Sequence, residues 1–387
     1  MIRDPESFAL LTQTIERFVR ERLIPREQEV ADTDAIPEDI LADMRRMGLF
    51  GLTIPEPYGG LGLTMEEEVL AAFALCRASP AFRSIAGTNN GIGSLGIVFD
   101  GTEAQKKEYL PRLAAGELIG SFALTEPGSG SDAGSLTTSA RRDGDHYVLN
   151  GAKRYITNAP QAGIFTVMAR TDPESKDAGG VSAFIVERAT PGLSVGRADR
   201  KMGQRGAQTA DVTFDAVRVP AANLIGGVEG MGFKTAMKVL DKARLHIAAV
   251  CVGAASRILD EALDYAIDRK QFGQPIGEFQ LVQAMLADSQ TELYAARSMT
   301  LDAARRRDAG EPITMEAACC KLYASEMVGR VADRAVQIHG GAGYMQESAV
   351  ERFYRDVRLF RLYEGTSQIQ QLVIARQMLK KTGASRR

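Results

Sequence analysis

The chain has little with which to cross a membrane, hold a metal or staple itself covalently. No stretch of about eighteen apolar residues occurs among its 387 residues, so no membrane-spanning helix is expected. The three histidines, His146, His246 and His339, are scattered, and none falls in an HExxH or similar metal-binding spacing. The four cysteines, Cys76, Cys251, Cys319 and Cys320, include no CxxC pair. Adjacent Cys319 and Cys320 lie in an apolar helical run and read as packing residues. This usage fits a reducing, cytoplasmic setting. A net charge of −2 argues against a broad electrostatic footprint for nucleic acid, although a local basic pocket stays open. The opening MIRDPESFALLTQTIERF mixes acids with apolar residues and has no small-residue cleavage site, unlike a signal peptide or a basic transit peptide. Internal repeats, low-complexity tracts and βαβα alternation are also missing, which argues against a doubly wound sheet.

What is present divides into three textures. Residues 1–117 read as an all-α domain. In SFALLTQTIERFVRERLIP apolar residues recur at three- and four-residue steps, with Pro25 expected to close the run. PEDILADMRRMG places Pro37 at a first turn and Gly48 at the end. GTEAQKKEYLPRLAAGE carries Thr102 and Gln105 in a capping-box spacing. Residues 118–226 change to short runs rich in Val, Ile, Phe and Thr, separated by Gly, Pro, Asp and Asn, which predicts a β-barrel or sandwich. There Asn150-Gly151 in YVLNGAKRYIT predicts a hairpin. Residues 227–387 return to long amphipathic helices and predict a helical bundle. Phe233, Met237, Leu240, Ile247 and Cys251 share one face, and Gly340-Gly341 stops a later helix. The expected fold is a multidomain α+β chain with an N-terminal all-α domain, a central β domain and a C-terminal four-helix bundle.

Several segments carry candidate chemistry. FALTEPGSGSDAGS is the densest cluster of small and hydroxylic residues. Its Gly128, Gly130 and Gly134 let backbone approach a ligand, and Thr125, Ser129, Ser131 and backbone N–H groups suit phosphate oxygens or a flavin edge. The same segment reads equally as a polar surface turn. As GxGxxA it mimics a dinucleotide fingerprint only weakly, because Pro127 interrupts and no helix follows. HGGAGY reads as a glycine helix stop, and DRKQFGQPIGEFQ as a basic helix end. DKARLH sets Asp241 and Arg244 three apart, as in a surface ion pair. RLYEGTSQIQ interrupts a helical region for a single carboxylate, Glu364, beside Gly365.

Together these segments resemble the acyl-CoA dehydrogenase family over nearly the whole chain. ALTEPGSGSD, KRYITN, DRKQFGQPIGEFQ, QIHGGAGYMQESAVERFYRD and YEGTSQIQ stand in the family's order and spacing. The resemblance implies FAD, an acyl-CoA thioester substrate, electron transfer to an electron-transferring flavoprotein, and a homotetramer built as a dimer of dimers. It implies that Phe122, Ala123, Leu124, Thr125, Gly130 and Ser131 line the flavin, with Ser131 also near the CoA chain. Tyr155, Ile156 and Thr157 flank the flavin ring; the family more often has Trp where this chain has Tyr155, which costs stacking area. Arg269, Gln271, Phe272, Gln280, Gln337, Ile338, Gly340 and Gly341 resemble segments that grip the FAD of a neighbouring subunit, and Thr366 and Gln368 complete that grip. Asp241 and Arg244 match positions that hold CoA.

Glu364 matches the family's catalytic base. Members that place the base on the helix holding DKARLHIAA need a carboxylate there, and Ala243 offers none. The implied reaction is α,β-dehydrogenation to a trans-2-enoyl-CoA, with Glu364 taking the α-proton, flavin N5 accepting the β-hydride, and the Glu364 N–H meeting the thioester oxygen. Gly365 would let the loop pass close to the substrate. Arg83 and Ser84 fall where glutaryl-CoA dehydrogenase also places Arg-Ser, so a substrate with an anionic end is one alternative. Cys76 and Ala78 stand where that enzyme's acids are expected, which argues against decarboxylation. A flavin oxidase and a non-catalytic acyl-CoA-binding protein remain competing readings, and length and the intact Glu364 argue against each in turn. Fatty-acid β-oxidation is the expected setting.

Overall fold

The computed structural model describes residues 1–175 and 178–381; the last six residues of the expected third segment lie outside them. Seven helices come first: α1 Pro5–Phe18, α2 Glu27–Thr33, α3 Glu38–Arg46, α4 Met65–Leu75, α5 Pro80–Thr88, α6 Leu95–Asp100 and α7 Glu103–Ala114. The capping box of α7 forms as expected. Gln105 N–H donates to Thr102 Oγ1 at 3.3 Å, and Thr102 N–H donates to Gln105 Oε1 at 2.9 Å. Pro25 does not close the first run. The chain passes from α1 through a wide turn, Val19–Leu23, into a tight one, Ile24–Arg26, where a proline is tolerated at the start. Pro37 is the residue before α3 rather than its first turn.

A seven-stranded sheet follows, with β1 Gly120–Ala123, β2 Ser139–Asp143, β3 His146–Thr157, β4 Ile164–Arg170, β5 Val181–Glu187, β6 Leu193–Val195 and β7 Thr209–Pro220. Its order is β1-β4-β2-β3-β7-β6, and β5 pairs with β4. Alternate side chains such as Tyr147, Leu149, Phe165, Phe184 and Phe214 fill one buried core. Asn150-Gly151 is not a hairpin, because β3 runs straight through it. The pairing with β7 shifts between Leu149 and Gly151, and Asn150 Oδ1 accepts the Ala216 N–H at 2.8 Å. The extra residue lies in β7, so Asn150 stands opposite a bulge formed by Asp215 and Ala216, the latter at φ +49°. The turn joining β2 to β3 lies earlier, where Gly144 adopts φ +62°.

The C-terminal part holds α8 Gly232–Asp268, the short strands β8 Lys270–Gln271 and β9 Gln274–Pro275, then α9 Gln280–Asp308, α10 Thr314–His339, α11 Ala349–Val357 and α12 Ser367–Lys381. Helix α11 was not foreseen in the sequence, although its burial of Val350, Phe353 and Val357 is amphipathic. Helix α4 crosses α8 at Gly253, where a Cβ would stand 2.8 Å from Cys76 Cβ and 2.9 Å from Phe73 O. Only glycine permits that approach, and it carries α4 side chains into the C-terminal core. Among the described residues no helix is long and apolar enough to cross a membrane, and no group of His, Cys, Asp or Glu is arranged for a metal.

Candidate active site

Glu364 sits in the turn before α12 with φ +55°, followed by Gly365 at φ +90°. Two consecutive left-handed residues make a sharp reversal, and only the second is a glycine. One carboxylate oxygen, Oε2, is shut away from solvent and has no hydrogen-bond partner among the described residues. Burial pushes the Glu364 carboxyl above its ordinary value, while Arg83, Lys321 and Arg244 pull it back, in that order of strength. The lone acid is thus an inward-facing carboxylate ringed by cations from three helices.

Arg83 on α5 is only 8% exposed. Its Nε donates to His246 Nε2 at 2.8 Å. On the far side His246 Nδ1 lies 2.8 Å from Glu68 Oε1, and Glu68 Oε2 lies 2.9 Å from Lys242 Nζ. Burial would raise the Glu68 carboxyl, but Lys242 and His246 outweigh it and hold it at about 2. Burial and the Arg83 charge together keep the imidazole below its ordinary range. His246 is then neutral, with its proton on Nδ1 because Nε2 is an acceptor. Glu68 balances Lys242, and no carboxylate pairs with Arg83 among the described residues. A small cavity lined by Leu49, Leu52, Leu75, Arg83, Asn90 and His246 lies beside it, and Ser84 is buried next in sequence. Asp241 and Arg244 do not form a surface pair. Arg244 Nη1 donates to Asp241 Oδ1 at 2.6 Å with the guanidinium buried, and Asp241 Oδ2 accepts from Thr314 Oγ1 at 3.3 Å.

A second wall is built from β1, the loop after it, and the end of β3. Phe122, Ala123 and Leu124 are buried, Thr125 is half-buried, and Gly130 and Ser131 are exposed. A pair hidden from solvent fixes the loop: Lys153 Nζ donates to Glu126 Oε1 at 2.7 Å and to Leu124 O at 3.1 Å. Glu126 also accepts from Thr137 N–H at 2.7 Å and Thr138 N–H at 2.9 Å. Arg154 N–H donates to Thr125 O at 2.8 Å, and Ser121 Oγ donates to Thr157 O. Residues 122–131 and 155–157 therefore meet. Tyr155, at φ +58°, is turned outward and 60% exposed, with the Arg154 guanidinium 5.1 Å from its ring centre; Ile156 is buried and Thr157 half-buried. A Cβ on Gly128 or Gly130 would meet nothing within 4 Å. Open glycine backbone beside an outward aromatic fits the edge and face of a flavin ring.

The remaining residues of the cofactor set form a separate exposed patch. Tyr265 stacks on His339 at 4.2 Å and joins the ends of α8 and α10. Arg269, Gln271 and Phe272 then project on the β8–β9 turn, with Phe272 94% exposed. Gln280, Gln337, Gly340 and Gly341 are exposed, whereas the Ile338 side chain faces the core. Thr366 Oγ1 accepts the Ile369 N–H at 3.2 Å and caps α12, and Gln368 is exposed. No hydrogen bond or ion pair joins this patch to residues 122–131 or 155–157 among the described residues.

The sequence reading missed Glu68, Lys153, His246, Lys321 and Gln370. Lys153 and Lys321 are polar residues on otherwise apolar faces, as Lys321 is among Ala317, Cys320 and Ala324. That mismatch was the available signal.

An N-terminal helical layer, a curled sheet and a C-terminal bundle around a buried carboxylate define an oxidoreductase that acts on carbon–carbon single bonds with a flavin. The chain belongs to the acyl-CoA dehydrogenase family. Models of that family's N-terminal, middle and C-terminal domains match residues 5–117, 121–217 and 230–379. A probable acyl-CoA dehydrogenase of Bacillus subtilis is 44% identical over 96% of this chain and 97% of its own. The acryloyl-CoA reductase (NADH) of Anaerotignum propionicum is 42% identical over 96% and 94%. The caffeyl-CoA reductase-Etf complex subunit of Acetobacterium woodii is 43% identical over 91% and 93%. Butyryl-CoA dehydrogenase from Megasphaera elsdenii superposes with a TM-score of 0.93 at 35% identity, covering 98% of this chain and 100% of that one. A glutaryl-CoA dehydrogenase in complex with glutaryl-CoA gives 0.92 at 34%, covering 99% and 97%. An acyl-CoA dehydrogenase from Bacillus anthracis complexed with FAD gives 0.92 at 35%, covering 98% and 68%.

Proposed function

We propose that this chain is an FAD-dependent acyl-CoA dehydrogenase in which Glu364 removes the α-proton of an acyl-CoA thioester to give a trans-2-enoyl-CoA. The observation that carries this reading is the buried, unpartnered Oε2 of Glu364 among Arg83, Lys321 and Arg244. A carboxylate kept from water, with its pKa raised towards the working pH, is a better base than a solvated one. Residues 122–131 and 155–157 would hold FAD, and bound there it would supply the acceptor for the β-hydride. The chain's own part is to bury the thioester, present the Glu364 backbone N–H to its oxygen, and take the proton on the Glu364 carboxylate. The buried Arg244 and the half-buried Asp241 would receive the CoA portion.

The exposed patch of Arg269, Gln271, Phe272, Gln280, Gln337, Gly340 and Gly341, with Thr366 and Gln368, would serve the FAD of a neighbouring subunit in a homotetramer. Exposed Phe272, Leu281, Tyr294, Tyr344 and Met378 give apolar surface for such contacts. Electrons would leave to an electron-transferring flavoprotein, as suits a relative named for its complex with one.

A second reading concerns the substrate's far end. Arg83 is buried and forms no ion pair among the described residues, although its charge bears on Glu364, so an acyl group ending in a carboxylate would supply a direct partner. Anaerobic titration of the yellow protein with butyryl-, octanoyl-, isobutyryl- and glutaryl-CoA tests both readings. Bleaching of the flavin band supports dehydrogenation, and its rank order names the acyl class. A colourless protein that neither binds FAD nor bleaches would sink the proposal in favour of a binding role.

A further inference from the structure

We infer that Lys321 is a positioning residue for the base: with Gln370 it clamps the strained Glu364–Gly365 turn, and it places a buried cation beside the carboxylate.

Lys321 lies on α10 and is 0% exposed. The surrounding stripe is Ala317, Cys320, Ala324 and Met327, where an apolar side chain would fill the same space without burying an ammonium group. Its Nζ instead donates to Gly365 O at 2.7 Å. From α12 the equally buried Gln370 reaches the same turn. Its Nε2 donates to Gly365 O at 3.0 Å and to Glu364 O at 3.2 Å. Two side chains from two helices thus hold both carbonyls of a turn whose first residue is a non-glycine at φ +55°. A left-handed glutamate persists only where its surroundings over-determine it.

The charges around Lys321 are Cys251 and Arg244 on α8, Glu326 on α10, and Glu364. Cys251 is a neutral thiol, pushed up by burial. Glu326 is already engaged, 3.1 Å from Arg361 Nε and accepting Ser367 Oγ at 2.7 Å. Arg244 is tied to Asp241. Glu364 is the carboxylate left facing Lys321, and beyond Lys321 it faces Arg83 and Arg244. Burial draws the Lys321 ammonium down to about 8, so it remains a cation at neutral pH.

The inference rests on Glu364 as the base, and the test separates the two. Holoenzyme variants Lys321→Met and Gln370→Met are compared by hydrogen-exchange mass spectrometry of the peptide over residues 362–370. They are also compared by the pH dependence of anaerobic flavin reduction, using whichever of the four acyl-CoA esters bleaches the native protein fastest. Both variants should speed exchange in that peptide by about tenfold or more. Only Lys321→Met should move the acid limb of the reduction rate to higher pH, because removing a cation makes the carboxylate harder to ionise. The KM should stay within about twofold while the rate falls. Native exchange together with a native acid limb in Lys321→Met would overturn the inference and leave Lys321 as a packing residue. Should that variant not fold, Lys321→Gln carries the charge test, and unchanged exchange in Gln370→Met overturns the clamp. Glu364→Gln that still bleaches rapidly would remove the base assignment, while the exchange result would still judge the clamp.

Discussion

Arg83 donates from Nε to Nε2 of His246 across 2.8 Å. That bond requires an unprotonated Nε2, so the imidazole is neutral and its remaining N–H points to Glu68. No hydrogen bond or ion pair engages the two Nη groups of Arg83 among the described residues. Arg83→Met should therefore lose glutaryl-CoA turnover by about a hundredfold or more relative to butyryl-CoA, the scale of breaking one buried charge pair. Steady-state kinetics on the two esters checks it. Equal effects on both would dismiss the anion pocket.

Glu364→Gln should keep the yellow FAD yet slow acyl-CoA-driven bleaching by roughly a hundred- to ten-thousandfold, the usual range for a general base. Because burial raises this carboxyl above 4.5, it still holds its proton there and works only as pH climbs further. The rate of flavin reduction in the native protein should rise through an acid limb above pH 4.5. A limb at or below that value would count against the assignment.

Gly365→Ala faces two penalties at once. The backbone at φ +90° is strained for any residue with a Cβ, and the new methyl would stand 2.5 Å from Gln370 Nε2. The amide would have to swing off the carbonyls it holds. A stability loss of about 1–3 kcal/mol is expected in chemical denaturation, with a fall in flavin reduction rate and retained FAD.

Lys153→Met should loosen the loop that carries residues 122–131, leaving Glu126 buried without its cation. The expected loss is about 3–5 kcal/mol, read by thermal or chemical unfolding, with FAD lost on desalting. The pH sign follows from Glu126. Lys153 and the threonine donors overcome burial and hold its carboxyl at about 2, below its ordinary 4.5. The ionised Glu126 therefore contributes stability that is fully present above pH 4.5 and fades as pH falls towards 2, while burial, which draws the Lys153 ammonium down to about 8, offsets part of it. Native protein should lose stability across that window, and Lys153→Met should lose much less.

Local signals in the sequence survived into the structure where the physics is local. Thr102 and Gln105 close their box because both partners lie within one turn, and the change from helical to strand texture near Gly120 follows side-chain periodicity. Asn150-Gly151 misled because the pair can serve a turn or a continuous strand opposite a bulge, and the pairing with β7 decides between them. Arg83 could be named but not placed, since helix periodicity alone does not tell that α5 is buried on nearly every side. The cations around Glu364 come from three helices distant in sequence, and no spacing rule links Arg83, Arg244 and Lys321. Their convergence depends on α4 packing against α8, which Gly253 makes possible, and on the Arg83–His246 bond that ties α5 to α8.

Strand β3 alternates in one phase from Tyr147 through Leu149 to Lys153, the slip at Asn150 being taken up by an extra residue in β7, and changes phase once, between Lys153 and Ile156, where Arg154 and Tyr155 stand opposite Asp211. Lys153 faces inward and Tyr155 outward because of that one slip, whereas uninterrupted alternation would send both the same way. Deleting a single residue between Leu149 and Lys153 would therefore reverse the wall, turning the ammonium group out and driving Arg154 towards the interior. Length in this tract is under tighter constraint than side-chain identity.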